Sequence, residues 1–164
     1  MTIKDITEPA RVTRASFYYY FPDKAQLFYE LGTETYLEAI ELIESFTDLS
    51  SPPAVAEIRS WVVRYFLYLD RNGAYINRSS EDLPPDRRFR AAVARSHRRT
   101  AQALGDRLAK AATATPEIDP QHLGVVVIAM IERSWLAVQS DDIATVEKEP
   151  VISAVSEVIT KTLT

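Results

Sequence analysis

The fold of the N-terminal part of the chain is decided by the stretch Thr13-Arg14-Ala15-Ser16-Phe17-Tyr18-Tyr19-Tyr20-Phe21-Pro22-Asp23-Lys24. Thr13 is a favourable N-cap, because its hydroxyl can accept a hydrogen bond from the first turn of a helix that begins at Arg14. Phe17 and Phe21 lie four residues apart and would share the inner face of that helix. The stretch therefore predicts a short helix whose outer face carries Arg, Ser and Tyr side chains.

The residues on either side complete the unit. Pro22 cannot continue the helix, and Asp23 can cap a new helix that begins at Lys24. Upstream, the pattern of residues 2–8 predicts another short helix, which a tight turn joins to the first. Two short helices, a tight turn and a polar outer face are typical of a helix-turn-helix DNA-binding unit.

Residues 3–24 also carry a recognisable run, I-K-D-I-T-x-x-x-x-V-T-R-A-S-F-Y-Y-Y-F-P-D-K. This run closely resembles the signature of TetR-family bacterial transcriptional regulators, whose usual form is close to I-x-D-I-A-x-x-A-G-V-S-x-x-T-F-Y-x-Y-F-x-x-K. The resemblance covers about the first thirty residues. Beyond Leu31 only the all-helical layout and the length support it. Three departures are Arg11 in place of the turn glycine, Pro9 near the end of the preceding helix, and Tyr19 where His is frequent.

The resemblance further implies a helix ahead of Ile3, preceded by a basic arm, whereas this sequence starts at Met1. That helix would cover Ile3, Ile6, Phe17 and Phe21, and each side chain left exposed forfeits roughly 1.5–3 kcal/mol of burial. We expect an N-terminally shortened sequence; the alternative is a natural variant without a proper DNA-binding domain.

Composition sets the broad class. The 164 residues include no Cys, carry a net charge of −4 and have a pI near 5.3 and a mean hydropathy of −0.14. We therefore expect a globular cytoplasmic protein without disulfides or thiolate metal sites. The sequence contains no stretch that approaches 18 consecutive apolar residues, so we expect no membrane span. The N-terminus lacks the apolar core of a signal peptide. His97 and His122 lie far apart and no catalytic motif is present, so we expect neither a metal, nor a cofactor, nor an enzyme.

Periodicity predicts helices throughout the rest of the chain. The first spans residues 24–46, with Leu27, Leu31, Leu37, Ile40, Ile43 and Phe46 as its apolar stripe and Gly32 as a weak point of about 1 kcal/mol. Further helices are predicted at 54–71, ended by Asn72-Gly73, at 74–80, at 86–112 with Asp86 as N-cap, at 121–139, and at 146–163. The fourth of these is apolar nearly all round, which predicts burial on two sides. The fold class is all-α: an incomplete helix-turn-helix head with its connecting helix (1–46), joined to a ligand-binding and dimerisation domain (47–164).

The expected DNA contacts lie on the head. Arg14 can donate two hydrogen bonds to guanine O6 and N7, while Ser16 and the methyl of Ala15 can meet base edges or a thymine methyl. The resemblance implies contacts at Thr13, Arg14, Ala15, Ser16, Tyr18, Tyr19, Tyr20 and Lys24, with Thr13, Tyr18, Tyr20 and Lys24 on phosphates. The alternative is that the tyrosines only pack in the core. A basic run at residues 87–99 could be a second nucleic-acid surface, but a solvated helix face is the better interpretation.

The expected ligand site lies in the body. Its aromatic and polar candidates are Trp61, Tyr65, Phe66, Tyr68, Tyr75, Phe89, Met130, Glu132, Arg133 and Trp135. From the sequence alone a plain core is the better explanation of these residues; the resemblance implies that they bind a small hydrophobic effector and makes the two alternatives about equal. We also expect a four-helix dimer interface near Val126, Met130, Val151, Val155, Val158 and Ile159.

Together these features predict a homodimeric, ligand-responsive transcriptional regulator, in its simplest form a repressor on a near-palindromic double-stranded operator. The alternative is a small-molecule-binding dimerisation module that no longer binds DNA.

Overall fold

A computed structural model describes residues 2–81, 87–114, 117–139 and 147–164. Over these ranges the chain is all-α, with seven α-helices, one short 3-10 turn and no strand, as the sequence predicts. The elements are α1 (Ile3–Thr7), α2 (Arg14–Tyr20), α3 (Lys24–Glu44), a 3-10 turn (Ser45–Asp48), α4 (Val55–Glu81), α5 (Arg87–Ala111), α6 (Pro120–Gln139) and α7 (Lys148–Thr162). The predicted cap Asp86, most of the turn at 80–86 and the predicted helix start at 146 lie outside the described residues.

The three N-terminal helices begin where their caps predict. Thr13 accepts a hydrogen bond from the backbone N–H of Ser16 at 3.0 Å, and Asp23 accepts one from Gln26 N–H at 2.8 Å. These bonds satisfy backbone donors that have no partner inside the helix. Helix α1 starts with a reciprocal capping box between Thr2 and Asp5. Local sequence therefore determines both ends of the helix-turn-helix unit.

The turn between α1 and α2 is strained at one residue. Arg11 has a φ of 54°, the left-handed region that a side chain with a Cβ adopts at a cost. The turn is held by hydrogen bonds from Arg11 N–H to the Glu8 carbonyl and from Val12 N–H to the Thr7 carbonyl, both 3.1 Å long. The chain thus adopts with arginine the geometry for which glycine is the usual residue.

Helix α3 buries a different face from the predicted one. Phe28, Thr35, Ala39 and Ile43 point inward, while Leu31 and Leu37 are exposed. The predicted stripe is wrong at the two leucines because it ranked positions by hydrophobicity. The buried face includes Thr35 and Ala39, small side chains that allow α4 and α5 to lie against the helix.

Helix α4 runs continuously through the predicted stop at Asn72-Gly73, so that boundary is wrong. Asn72 is engaged by its side chain, which donates hydrogen bonds to Glu38 at 2.8 Å and to the Tyr68 carbonyl at 3.2 Å. Gly73 lies against the Trp135 ring: a Cβ there would be 2.2 Å from the nearest ring carbon. The glycine therefore serves helix packing and does not end the helix.

The core lies where α4, α5, α6 and α7 meet the end of α3. Trp61, Phe66, Leu104, Ile131 and Ile159 are fully buried there. A polar junction at Asp70 connects α4, α6 and α7. Its carboxylate accepts hydrogen bonds from Trp135 Nε1 at 2.7 Å, Gln139 Nε2 at 3.0 Å and Lys148 Nζ at 2.8 Å.

Candidate functional site

The outer face of α2 is polar, aromatic and exposed. Tyr18, Tyr19 and Tyr20 have 48%, 82% and 71% of their surface exposed, whereas Phe17 is 4% exposed. Thr13, Arg14, Ala15 and Ser16 are exposed as well, and Lys24 is half-buried at the start of α3. Only Phe17 of this helix is buried, so the alternative that the tyrosines form core packing does not hold.

The hydroxyls at the start of α2 have a defined arrangement. Thr13 Oγ1 accepts from Ser16 N–H and donates to Ser16 Oγ at 3.0 Å. The Thr13 proton is therefore in use, while the Ser16 proton stays available to donate outward. On this face Arg14 supplies the strongest outward-directed donors, since its guanidinium carries five N–H groups.

A cavity of about 360 Å³ lies between α3, α4, α5 and α6. Its size falls in the range of about 300–1,000 Å³ found for small-molecule sites. The described residues that line it are Tyr29, Gly32, Thr33, Thr35, Tyr36, Ala39, Tyr65, Tyr68, Tyr75, Ile76, Phe89, Ala92, Val93, Ser96, His97, Thr100, Ala101, Val125, Ile128, Ala129 and Glu132.

Half of the predicted ligand set lines this cavity. Tyr65, Tyr68, Tyr75, Phe89 and Glu132 do so. The other predicted residues that the structure places outside the lining are Trp61, Phe66, Met130, Arg133 and Trp135. Aromatic content alone does not separate core positions from cavity positions.

The residues that do not line the cavity have other places in the fold. Trp61 and Phe66 are completely buried in the core, and Trp135 packs on Gly73 and bonds to Asp70. Arg133 lies on the exposed side of α6.

The sequence-based prediction missed the contribution of α3 and, apart from Phe89, that of α5. Helix α5 lines the cavity with small side chains at four-residue spacing, Ala92, Ser96 and Thr100, and with His97. Residues at that spacing share one face of the helix, and their small side chains cannot fill the space opposite that face. This pattern of small residues was the feature of the sequence that could have indicated the cavity.

Glu132 is the charged group of the cavity wall. The carboxyl is half-buried, and within the described residues it makes neither a hydrogen bond nor an ion pair. Burial raises its pKa from 4.5 to about 7. Burial also raises the pKa values of Tyr65 and Tyr68, and the nearby charge of Glu132 adds to both shifts. Burial lowers the pKa of His97.

An aromatic cluster joins the cavity to the first turns of α3. Phe28 has its ring centroid 5.9 Å from that of Tyr75 and 6.4 Å from that of Phe89. Tyr29 packs edge-to-face on Phe89 at 5.2 Å, and the Tyr75 hydroxyl donates to the Phe28 carbonyl at 3.3 Å. Phe28 is one helical turn from Lys24, so the cavity wall and the head are close neighbours along α3.

Outward faces of α6 and α7 carry apolar side chains. Val126 is 63% exposed and Val158 is 47% exposed, while Met130 and Val151 are half-buried. Val155 and Ile159, which the sequence placed near an interface, lie in the core of the chain itself because they are on the inner face of α7. The expectation that α6 is buried on two sides is wrong for this chain at Val125 and Val126.

By length and hydropathy, α6 would suffice to cross a membrane, unlike any other helix in the described ranges. Its inner face, Leu123, Val127, Ile131 and Trp135, packs in the core, which is the usual environment of such a helix in a globular protein. It also carries Glu132 and Arg133 near its middle.

A capped helix-turn-helix unit with an exposed Arg, Ser and Tyr face, in an all-α chain, is typical of DNA-binding transcriptional regulators. Residues 1–31 match the family model of bacterial regulatory proteins of the tetR family. The match confirms the resemblance over this segment, and the members of that family are transcriptional regulators. Comparison with curated proteins and with solved structures gave no match.

Proposed function

We propose that the protein is a ligand-responsive repressor that binds a near-palindromic operator as a homodimer. Residues 1–46 form the DNA-binding head with its connecting helix, and residues 47–164 form the ligand-binding and dimerisation body. A small hydrophobic effector occupies the cavity and releases the protein from DNA.

The observation that carries this proposal is the course of α3. The helix begins at the Asp23 cap, directly after α2, and continues without a break into the cavity wall, where Gly32, Tyr36 and Ala39 line the space. A rigid helix that begins in the head and forms part of the cavity wall would couple the head and the cavity mechanically. An effector that alters the wall therefore alters the position of α2.

The coupling is a population shift between two arrangements of the head. An effector changes operator affinity only if it binds one arrangement more tightly than the other. Phe89 and Tyr75 line the cavity and also contact Phe28. A ligand that displaces either ring favours a different position of the first turns of α3, which gives it the required difference in affinity.

In the DNA complex Arg14 reads bases, and Lys24 holds the phosphate backbone. Arg14 projects from the first position of α2, where its guanidinium suits the O6 and N7 atoms of guanine in the major groove. Thr13 at the cap of α2, Tyr18 and Tyr20 on α2, and Lys24 at the start of α3 are suited to phosphate contacts. Two heads on one dimer contact two half-sites, which accounts for a near-palindromic operator.

The dimer forms through the outward faces of α6 and α7. Val126 and Val158 supply exposed apolar surface there, with Met130 and Val151 beside them. A twofold pairing would bury the same patch on both copies. Val126→Asp together with Val158→Asp should convert the dimer into a monomer in sedimentation experiments at micromolar concentration, and a monomeric wild-type protein would contradict the pairing.

The experiment that tests DNA binding is fluorescence anisotropy of the full-length protein on labelled upstream DNA over a range of salt concentrations. Arg14→Ala should cost roughly 1–3 kcal/mol at one base position, whereas Lys24→Ala should weaken all sequences evenly and lower the salt slope by about one. The matched control is Lys110→Ala, which removes one charge at the far end of α5 and should change neither quantity.

Two results would contradict the proposal. Equal losses on operator and random DNA for Arg14→Ala would remove its base-reading role. A wild-type protein that binds no DNA above background would favour the second candidate, a small-molecule-binding dimerisation module.

A further inference from the structure

Within the described ranges, the residues of the cavity wall carry negative charge only. Among the described lining residues Glu132 is the one acidic side chain, and none is Lys or Arg. The remaining polar groups are hydroxyls and the His97 imidazole, whose pKa burial lowers. A ligand that enters this space therefore meets either a neutral surface or a carboxylate.

Glu132 has no partner to compensate its burial within the described residues. A carboxylate removed from water without a counter-ion or hydrogen-bond donor is costly, so its pKa rises and the site favours any group that supplies positive charge. A neutral ligand leaves this group uncompensated and an anionic ligand adds repulsion. The electrostatics of the cavity thus predict that cations bind most tightly, neutral molecules less tightly and anions most weakly.

The tyrosines beside Glu132 suit the same kind of ligand. The rings of Tyr65 and Tyr68 stand edge-to-face with centroids 5.6 Å apart, and both sense the charge of Glu132. The Tyr68 hydroxyl already donates to the Thr35 carbonyl at 3.3 Å, so its ring is held in place. Aromatic faces attract ammonium groups, most strongly where water is excluded.

Another part of the cavity wall is apolar and would take the body of the ligand. Phe89, Val93, Ile128 and Ala129 contribute wall surface without charge. We propose that the effector is an amphipathic organic cation, an alkyl or aryl ammonium whose headgroup pairs with Glu132 among the tyrosines and whose body fills the apolar part of the cavity. This inference rests on the proposed effector role of the cavity and specifies the chemical class of the effector.

The test compares three probes of similar size by isothermal titration calorimetry on the full-length protein: 4-phenylbutyltrimethylammonium, 6-phenylhexan-1-ol and 6-phenylhexanoate. The ammonium should bind at least about tenfold more tightly than the alcohol, and the carboxylate should bind most weakly. Glu132→Gln keeps the shape of the side chain and removes its charge. It should weaken the ammonium roughly tenfold and leave the alcohol within about twofold.

A pH series separates charge from shape, because a quaternary ammonium does not titrate. If the ionised form of Glu132 binds it roughly tenfold more tightly than the protonated form, the affinity should rise by nearly tenfold between pH 5.5 and 8.5, a range that spans a pKa of about 7.

The groups that face Glu132 across the cavity are Tyr29 and Tyr36 on α3, Tyr65, Tyr68 and Tyr75 on α4, and His97 on α5. Glu38 and Arg71, which pair at 3.2 Å, lie near Tyr68. His97 is the one whose ordinary pKa falls in this window. Therefore His97→Gln should keep the pH slope, and Glu132→Gln should abolish it.

The outcomes distinguish this inference from the proposed function. If the alcohol or the carboxylate binds as tightly as the ammonium, or if Glu132→Gln leaves the ammonium unaffected, the cationic class is wrong while the effector cavity stands. If none of the three probes binds the wild-type protein at millimolar concentration, both fail. If the ammonium binds through Glu132 but leaves operator affinity unchanged, the cavity selects cations as inferred, but such a ligand is not an effector and the proposed release mechanism fails.

Discussion

Gly32 lies in the middle of α3. Replacing it with alanine should destabilise the wild-type protein but stabilise a Tyr75→Phe variant. A Cβ at position 32 would be 2.5 Å from the Tyr75 hydroxyl oxygen and 3.4 Å from Cζ of the same ring. Non-bonded heavy atoms ordinarily stay at least about 3.5 Å apart, so the hydroxyl oxygen must move by roughly 1 Å, while the ring carbon barely needs to move. That hydroxyl also donates to the Phe28 carbonyl at 3.3 Å.

The magnitudes decide the sign. Alanine gains about 1 kcal/mol of helix propensity over glycine. Crowding against a packed ring costs about 1–3 kcal/mol, and the lost hydrogen bond costs about 1 kcal/mol more. In the wild-type background Gly32→Ala should therefore destabilise the protein by about 1–3 kcal/mol. In a Tyr75→Phe background, where the hydroxyl is absent, the same substitution should stabilise it by up to about 1 kcal/mol.

The assay is a double-mutant cycle measured by urea unfolding at fixed protein concentration, since the proposed dimerisation would make stability depend on concentration. In thermal melts each kcal/mol should correspond to about 2–4 °C for a chain of this size. Unchanged urea m-values would show that the denatured states are comparable. If Gly32→Ala had the same effect in both backgrounds, within about 0.5 kcal/mol, then the Tyr75 contact would not explain the glycine.

Three further predictions concern stability. Asp70→Ala leaves the Trp135 indole N–H without its acceptor and should cost about 1–3 kcal/mol in urea unfolding, with no loss if the junction is unimportant. Arg11→Gly removes the strain at φ 54° and should raise the melting temperature by an amount equivalent to at most about 1 kcal/mol, since glycine loses part of this gain through unfolded-chain entropy. Burial raises the pKa of Glu132 from 4.5 to about 7, so the folded state holds a proton that the unfolded state releases above pH 4.5. The stability that this proton confers is complete below pH 4.5 and is lost as the pH rises to about 7, by about 3 kcal/mol, and Glu132→Gln should not show this decrease.

The head was predictable from sequence because local chemistry determines it. Thr13 and Asp23 cap helices regardless of what packs against them, and Pro22 ends a helix in any context. The arginine in the turn was identified as a strained position, and its positive φ confirms this. Such features depend on a few neighbouring residues, and these are fully visible in the sequence.

The body was harder to predict because its boundaries depend on distant residues. Gly73 has the appearance of a helix stop, but Trp135, which lies far away in sequence, packs into the space that the missing side chain leaves. Leu31 and Leu37 have the appearance of core residues, yet the face of α3 that packs inward is determined by where α4 and α5 lie. Propensity and hydrophobicity are overruled where tertiary contacts decide.

The cavity lining was also hard to predict from the sequence alone. Aromatic content selected Trp61, Phe66 and Trp135 together with the tyrosines, since all are large and apolar. What makes a cavity is the opposite property, a face of small residues that cannot fill the space. Ala92, Ser96 and Thr100 on α5 form such a face opposite Gly32 and Ala39 on α3. A search for facing small residues would have located the site.

The position of the small residues also bears on the proposed coupling between the cavity and the head. Small side chains leave the cavity open, while the large rings of Phe89 and Tyr75 stand at the part of its wall that contacts Phe28. Packed rings are close to incompressible, so a ligand larger than the open space must displace them or be excluded. In the proposed mechanism this displacement would change contacts one turn from Lys24, where a small rotation of α3 would carry α2 with it. Because the cavity lies beside the first turns of α3, the proposed coupling needs no long chain of intermediate contacts.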